Sequence, residues 1–259
     1  MRTPFDSYYW KEAEVGDERL WEARYRLAWG QEGEDDFVTL LRSGDPVALG
    51  VAFDHYDRAE SMRRFGGRNP YEVHEGEILE RARTVLAGSP CSSSETGASE
   101  DAANHASALL VMTYLADLRS RDDVLLVSAV LRRALTPNLI ESATRAAFSL
   151  IVDEAPFRQE ILDAFAEVLL DETRSEEQRM PAIRALEQAE GTDVGAVLAR
   201  VMKAGHGKIS MEAALSLANW HLAAHRSDLE QYVASWPADA EYPKADFLAA
   251  LHEAVDGDG

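Results

Sequence analysis

Apolar residues in this chain return every three to four positions, the spacing that lays a hydrophobic stripe along one side of an α-helix. Read this way, the sequence predicts helices over 16–31, 34–43, 45–59, 73–87, 102–118, 122–135, 137–153, 157–171, 176–190, 192–204, 208–224, 227–235 and 243–255. No alternating run bounded by turn residues appears, so almost no sheet is expected. The ends carry punctuation. Asp45-Pro46 and Thr136-Pro137 each place a capping oxygen before a proline at the first helical position. Ser175-Glu176-Glu177-Gln178 has capping-box spacing, and Gly191, Gly205 and Gly207 sit where helices should stop. Pro181 falls inside its helix and should kink it.

The pattern also repeats. Ala106-Ser107-Ala108-Leu109-Leu110, Ala146-Ala147-Phe148-Ser149-Leu150, Ala182-Ile183-Arg184-Ala185-Leu186 and Ala213-Ala214-Leu215-Ser216-Leu217 superpose as one short motif, at steps of 40, 36 and 31 residues. Ahead of the motif runs a second helix rich in Leu, Val and Phe, such as Ile161 to Leu170 or Val194 to Met202. Alanines let a neighbouring helix approach closely while leucines fill the space between layers. Stacked helical hairpins, none able to bury its apolar face alone, need both.

Arg179-Met180-Pro181-Ala182-Ile183-Arg184-Ala185-Leu186 resembles the second helix of HEAT and HEAT-like repeats. Asp45-Pro46-Val47-Ala48-Leu49-Gly50-Val51-Ala52 resembles the turn and second-helix start of an N-terminal repeat. The resemblance covers roughly residues 102–255 well and 34–59 tolerably, with irregular spacing. It implies an all-α, right-handed solenoid of stacked HEAT-like hairpins. The expected organisation is an N-terminal helical cap with first repeats over 1–87, a flexible Ser-rich insert over 88–104, a HEAT-like array over 105–255 and a tail over 256–259. The insert carries Ser92-Ser93-Ser94, Gly97 and Ser99, and residues 60–72, with Gly66-Gly67 and Asn69-Pro70, read as a loop.

Charge narrows the partners. With 26 Lys+Arg against 46 Asp+Glu the net charge is −20, a body that repels phosphate backbones, so nucleic acid is a poor partner and a basic protein surface a better one. Cys91 is the single cysteine, which rules out an intrachain disulfide and suits a reducing compartment. The first residues lack the apolar core of a signal peptide, and apolar runs such as Val124 to Val127 are too short to span a membrane. A cytoplasmic protein without a membrane partner is expected. Scarce lysine (Lys11, Lys203, Lys208 and Lys244) beside many arginines and alanines fits a high-GC bacterial coding bias.

Several groups have the vocabulary of a site. Tyr8-Tyr9-Trp10 precedes Trp21, Tyr25 and Trp29, whose four-residue spacing lines them along one helix face. Such a stripe either anchors a partner or seals the end of the array by packing on the next helix, and sealing weighs more. Asp54-His55-Tyr56-Asp57-Arg58, with Arg63, Arg64 and Arg68 beyond, sets a histidine between carboxylates near arginines, as acid–base or anion-binding chemistry would; surface ion pairs are the plainer account. His221 and His225 have the spacing of a two-histidine metal face but lack the intervening Glu, and no metal is expected. Cys91 would need a preorganised base to act as a nucleophile. The acidic clusters Glu32, Glu34, Asp35, Asp36 and Glu72, Glu75, Glu77, Glu80 lack calcium-loop spacing and read as a solvated face or a lure for a basic partner.

None of these is a catalytic constellation, and no cofactor is implied. The expected function is a non-catalytic protein-binding scaffold, with Trp21, Tyr25, Trp29, Asp54, His55, Arg58, Arg63, Arg64 and Arg68 as its candidate contacts. In its narrower form it is an acidic inhibitor or immunity-type protein for a basic target. The alternative implied by the resemblance is an enzyme or enzyme subunit, either DNA glycosylase-like or chromophore lyase-like. The first of these would need a basic groove, which the charge opposes. A structural subunit of a larger assembly would show instead as a broad apolar patch.

Overall fold

The computed structural model describes residues 17–29, 33–63, 65–88, 100–236, 247, 248 and 251. Tyr8-Tyr9-Trp10, Arg64, Cys91, Glu32 and most of the expected 243–255 helix lie outside the described residues, although Phe247 and Leu251 within that last span are buried. The described residues are all-α, with no strand. Their helices are α1 (Glu18–Ala28), α2 (Glu34–Leu41), α3 (Pro46–Arg63), α4 (Glu75–Ala87), α5 (Glu100–Leu115), α6 (Arg121–Arg133), α7 (Pro137–Ser149), α8 (Arg158–Leu170), α9 (Glu176–Glu187), α10 (Thr192–Ala204), α11 (Gly207–Trp220) and α12 (Leu222–Ala234). A short 3₁₀ turn, Glu72–His74, leads into α4. No described helix is long and apolar enough to cross a membrane.

The chain divides into two compact units, residues 1–161 and 162–259. In the first, α1 and α2 pack on α3; α3, α5 and α7 then line up side by side, with α4 against α5 and α6, and α6 against α7. In the second, α9 lies beside α11, while α10 packs on α11 and α12. Within each unit, helices pack against neighbours in sequence order, which is compatible with a helical repeat. All four copies of the alanine motif fall on every second helix: α5, α7, α9 and α11. Their leading alanines, Ala106, Ala146, Ala182 and Ala213, are buried, and Leu150, Leu186 and Leu217 close the motif from the core. In α5 the neighbouring Leu109 takes that place, leaving Leu110 partly exposed.

The helix signals had mixed outcomes. Asp45 caps α3, its Oδ1 accepting from Ala48 N at 2.9 Å, and the capping box at Ser175 and Gln178 is complete in both directions. Thr136 does not cap α7; its backbone is extended, but its buried hydroxyl makes no hydrogen bond. Of the three glycines, only Gly205 ends a helix. Gly191 opens α10 at φ +115° and Gly207 opens α11 at φ +61°, both in the left-handed region that favours glycine. α9 runs on through Pro181. The helix expected over 208–224 stops at Trp220, because His221 (φ −133°, ψ 22°) leaves helical geometry before α12 begins. The expected 88–104 insert is shorter than its boundaries, since 100–104 belong to α5. Its two shoulders are tied, His105 Nε2 donating to the Gly88 carbonyl at 3.2 Å and Arg133 to the same oxygen at 3.2 Å.

Two arginines join α1, α2 and α4. Arg26 grips Asp36 through two 2.7 Å hydrogen bonds, and Arg42 grips Glu77 through two of 2.9 Å. A further tie joins α4 to α6. Asp123, 1% exposed, accepts from Arg83 Nε at 2.7 Å, from its Nη2 at 2.9 Å and from the Asp117 backbone at 2.9 Å. The carboxylate raises the affinity of the Arg83 guanidinium for its proton above the ordinary arginine value.

Candidate functional site

Helix α1 starts at Asp17, whose carboxylate accepts from Arg19 N at 2.8 Å and Leu20 N at 3.3 Å. From that start the helical period turns Ala23, Arg24, Leu27 and Ala28 inward and sends Trp21, Tyr25 and Trp29 along the outer side. The three rings pack on one another. Trp21 and Tyr25 are stacked at 5.3 Å and 18°, and Tyr25 and Trp29 are tilted at 6.1 Å and 50°. Trp21 stays 41% exposed and Trp29 48%. The inward positions are taken by Ala23, Arg24, Leu27 and Ala28, while the ladder keeps much of its surface in solvent. Glu18 and Glu22 neighbour the ladder by helical spacing and are exposed, as are Glu34 and Asp35. The Arg26–Asp36 pair fixes the helix that carries the ladder. A pocket of about 440 Å³ lies beside it, lined by Asp17, Arg19, Leu20, Val38, Thr39, Arg42 and Ser43.

The candidates around His55 are divided between α3 and the loop that follows it. On α3, Asp54 is buried on the inward side, His55 is half-buried, and Arg58 and Arg63 are exposed, as is Arg68 in the loop beyond. Arg63 turns back to Glu60 at 3.1 Å. Glu60 is itself buried and accepts from the Asn69 amide at 2.7 Å, while Asn69 Oδ1 accepts from Tyr71 N at 2.9 Å. The expected 60–72 loop is therefore partly helix and partly a fold-back pinned by Asn69, with Gly66 at φ +89° making the turn.

What the structure brings together instead is Asp57, Ser61, Tyr114 and Arg145, one set from three neighbouring helices. Tyr114 of α5 donates to Asp57 Oδ1 of α3 at 3.0 Å and stands 3.2 Å from the Ser61 hydroxyl. Arg145 of α7 donates to Asp57 at 3.0 Å and to the Tyr114 oxygen, with its guanidinium 5.5 Å from the Tyr114 ring centroid. Burial pushes the Tyr114 hydroxyl above the usual phenol range, and the Asp57 carboxylate adds to the shift. The hydroxyl therefore stays protonated and acts as a donor. Tyr56 packs edge-on against Tyr114 at 6.4 Å and donates to Glu75 at 2.9 Å. Arg145 keeps 40% of its side chain in solvent. Sequence reasoning missed Tyr114 and Arg145. The available signal was that Arg145 immediately precedes the alanine motif of α7, on the helix that seals the layer.

In the second unit, His221, the N-cap of α12, and His225, in its first turn, approach the same point of α10. Among the described residues no group of three or more His, Cys, Asp or Glu is arranged to hold a metal ion. Comparison with protein family models, curated proteins and solved structures gives no match for this chain. Its class accordingly rests on its own geometry: among the described residues, an all-helical protein whose helices pack against neighbours in sequence order.

Proposed function

We propose that the chain is a right-handed HEAT-like solenoid serving as a non-catalytic scaffold, and that it docks a basic protein segment on the outer face of α1. One observation carries this reading: a self-stacked Trp21–Tyr25–Trp29 ladder exposed on a firmly tied helix, flanked by carboxylates, in a chain of net charge −20. Exposed tryptophans that do no core work are costly to leave in water and typical of binding hot spots. Their faces attract guanidinium and ammonium groups, and Glu18 and Glu22 supply the counter-charge. Helices packed in sequence order support the repeat reading, and the acidic surplus supports the narrower role of an inhibitor or immunity-type protein.

The test is fluorescence anisotropy of a labelled arginine-rich peptide. Binding is expected to weaken steeply with salt. The double variant Trp21→Ala, Trp29→Ala should lose about 30-fold or more in affinity, the scale of a hot-spot pair. Equal affinity for the variant, or binding indifferent to salt, removes the proposed site.

A further inference from the structure

The seam between α10 and α12 holds a pair of imidazoles that the proposed binding surface does not use. α10 presents no side chain at Gly195, and two rings fill that gap: His221 from the junction before α12 and His225 from its first turn. A methyl group placed on Gly195 would stand 3.1 Å from Cγ and Nδ1 of His221 and 3.1 Å from Nε2 of His225. Rings that share one point of contact lie within reach of each other's charge. Neutral imidazoles pack there freely; imidazolium groups repel.

The charged neighbours are few. Asp193 on α10 acts on His221. Asp228 of α12 lies 4.0 Å from His225 Nδ1, but at 2.7 Å it is already engaged by Lys203 of α10. Arg226 and Glu230, 4.0 Å apart, are on α12 itself. From α11 the packed group is Ser210, accepting from Tyr232 of α12 at 2.6 Å, and neither titrates near neutrality.

We propose that this seam is an acid-sensitive latch: α12 lies closed on α10 while the His221 imidazole is neutral, and loosens when His221 takes up a proton. Burial, and then the neighbouring His225, hold His221 below its ordinary value, with Asp193 acting in the opposite direction. A depressed histidine binds its proton more readily once α12 has opened. The closed seam is therefore at full strength above the ordinary imidazole value of about 6.5 and loses strength as pH falls from there through the folded value.

Hydrogen exchange of the α12 amides, expressed as protection factors from about pH 7.5 to about pH 5.5, tests this. Wild-type protection should fall by up to about tenfold per pH unit below the ordinary imidazole value, as uptake of one proton requires. His221→Gln should flatten the profile. His225→Gln should make it shallower, and the exposed His206→Gln should leave it unchanged. A flat wild-type profile, or a His221→Gln profile as steep as wild type, overturns the latch. Should His221→Gln already loosen α12 at neutral pH, the His225→Gln slope decides alone, since an unaltered slope there also overturns it.

Discussion

Among the described residues, those of 1–161 fasten helix to helix with arginine–carboxylate pairs, whereas those of 162–259 rely more on hydroxyls and imidazoles. In the first unit, Asp123 is clamped by Arg83, and Asp57 is shared between Tyr114 and Arg145. In the second, Ser216 donates to Glu187 at 2.7 Å to join α11 to α9, Tyr232 donates to Ser210, and two histidines rest on Gly195. The Lys203–Asp228 pair is largely in solvent and adds little. The alanine seam is common to both units, so the contrast isolates the ties. A buried carboxylate held by a bidentate arginine fails badly if one partner is lost. Ties without an ion pair cost less to break and leave room for titration.

Substitutions can break or sharpen that contrast. The largest effect is expected for Asp123→Ala, which strips Arg83 and the Asp117 amide of their acceptor. About 3 kcal/mol should be lost in urea unfolding, the low end for a broken buried pair, because Arg83 is partly solvated. Tyr114→Phe comes next, at roughly 1–2 kcal/mol, since Ser61, Asp57 and Arg145 all lose a hydroxyl at once. The same measurement checks it, and a loss below about 0.5 kcal/mol would show that the three-helix set carries no tie. Gly195→Ala gains helix propensity of about 1 kcal/mol but drives a methyl against both imidazoles. A net loss on the order of 1 kcal/mol should appear as reduced α12 protection at every pH, in contrast to the pH-selective change from His221→Gln. Smallest is Trp21→Ala, Trp29→Ala, expected within about 0.5 kcal/mol of wild type in stability even as peptide binding is lost.

Periodicity and caps made the elements legible because both are local. The 3.6-residue rhythm located the helices, Asp45 and Ser175 announced their starts, and the alanine motif marked every second helix before any coordinates were known. Thr136 carried the same signal as Asp45 without making the bond: a capping residue offers an oxygen, but local geometry decides whether it is taken. The ladder was visible as a spacing, yet its outward direction was not, because Ala23, Leu27 and Ala28 define an equally good apolar side and only packing chooses between them. The Asp57–Tyr114–Arg145 set was illegible for a different reason. Its members are 57 and 31 residues apart, and no rule of spacing pairs helices from separate hairpins. His221 misled in the opposite way, since a regular i, i+4 interval gave no sign of the helix break at its first member.

Trp236 lies at the end of α12, 7% exposed, with Tyr232 5.7 Å away on one side and Phe247 5.1 Å away on the other. Trp220, at the end of α11, is 69% exposed. The protein thus contains its own optical gauge: emission from the first indole should shift to longer wavelength when the C-terminal helix lifts, while the second, already in water, stays as an internal reference.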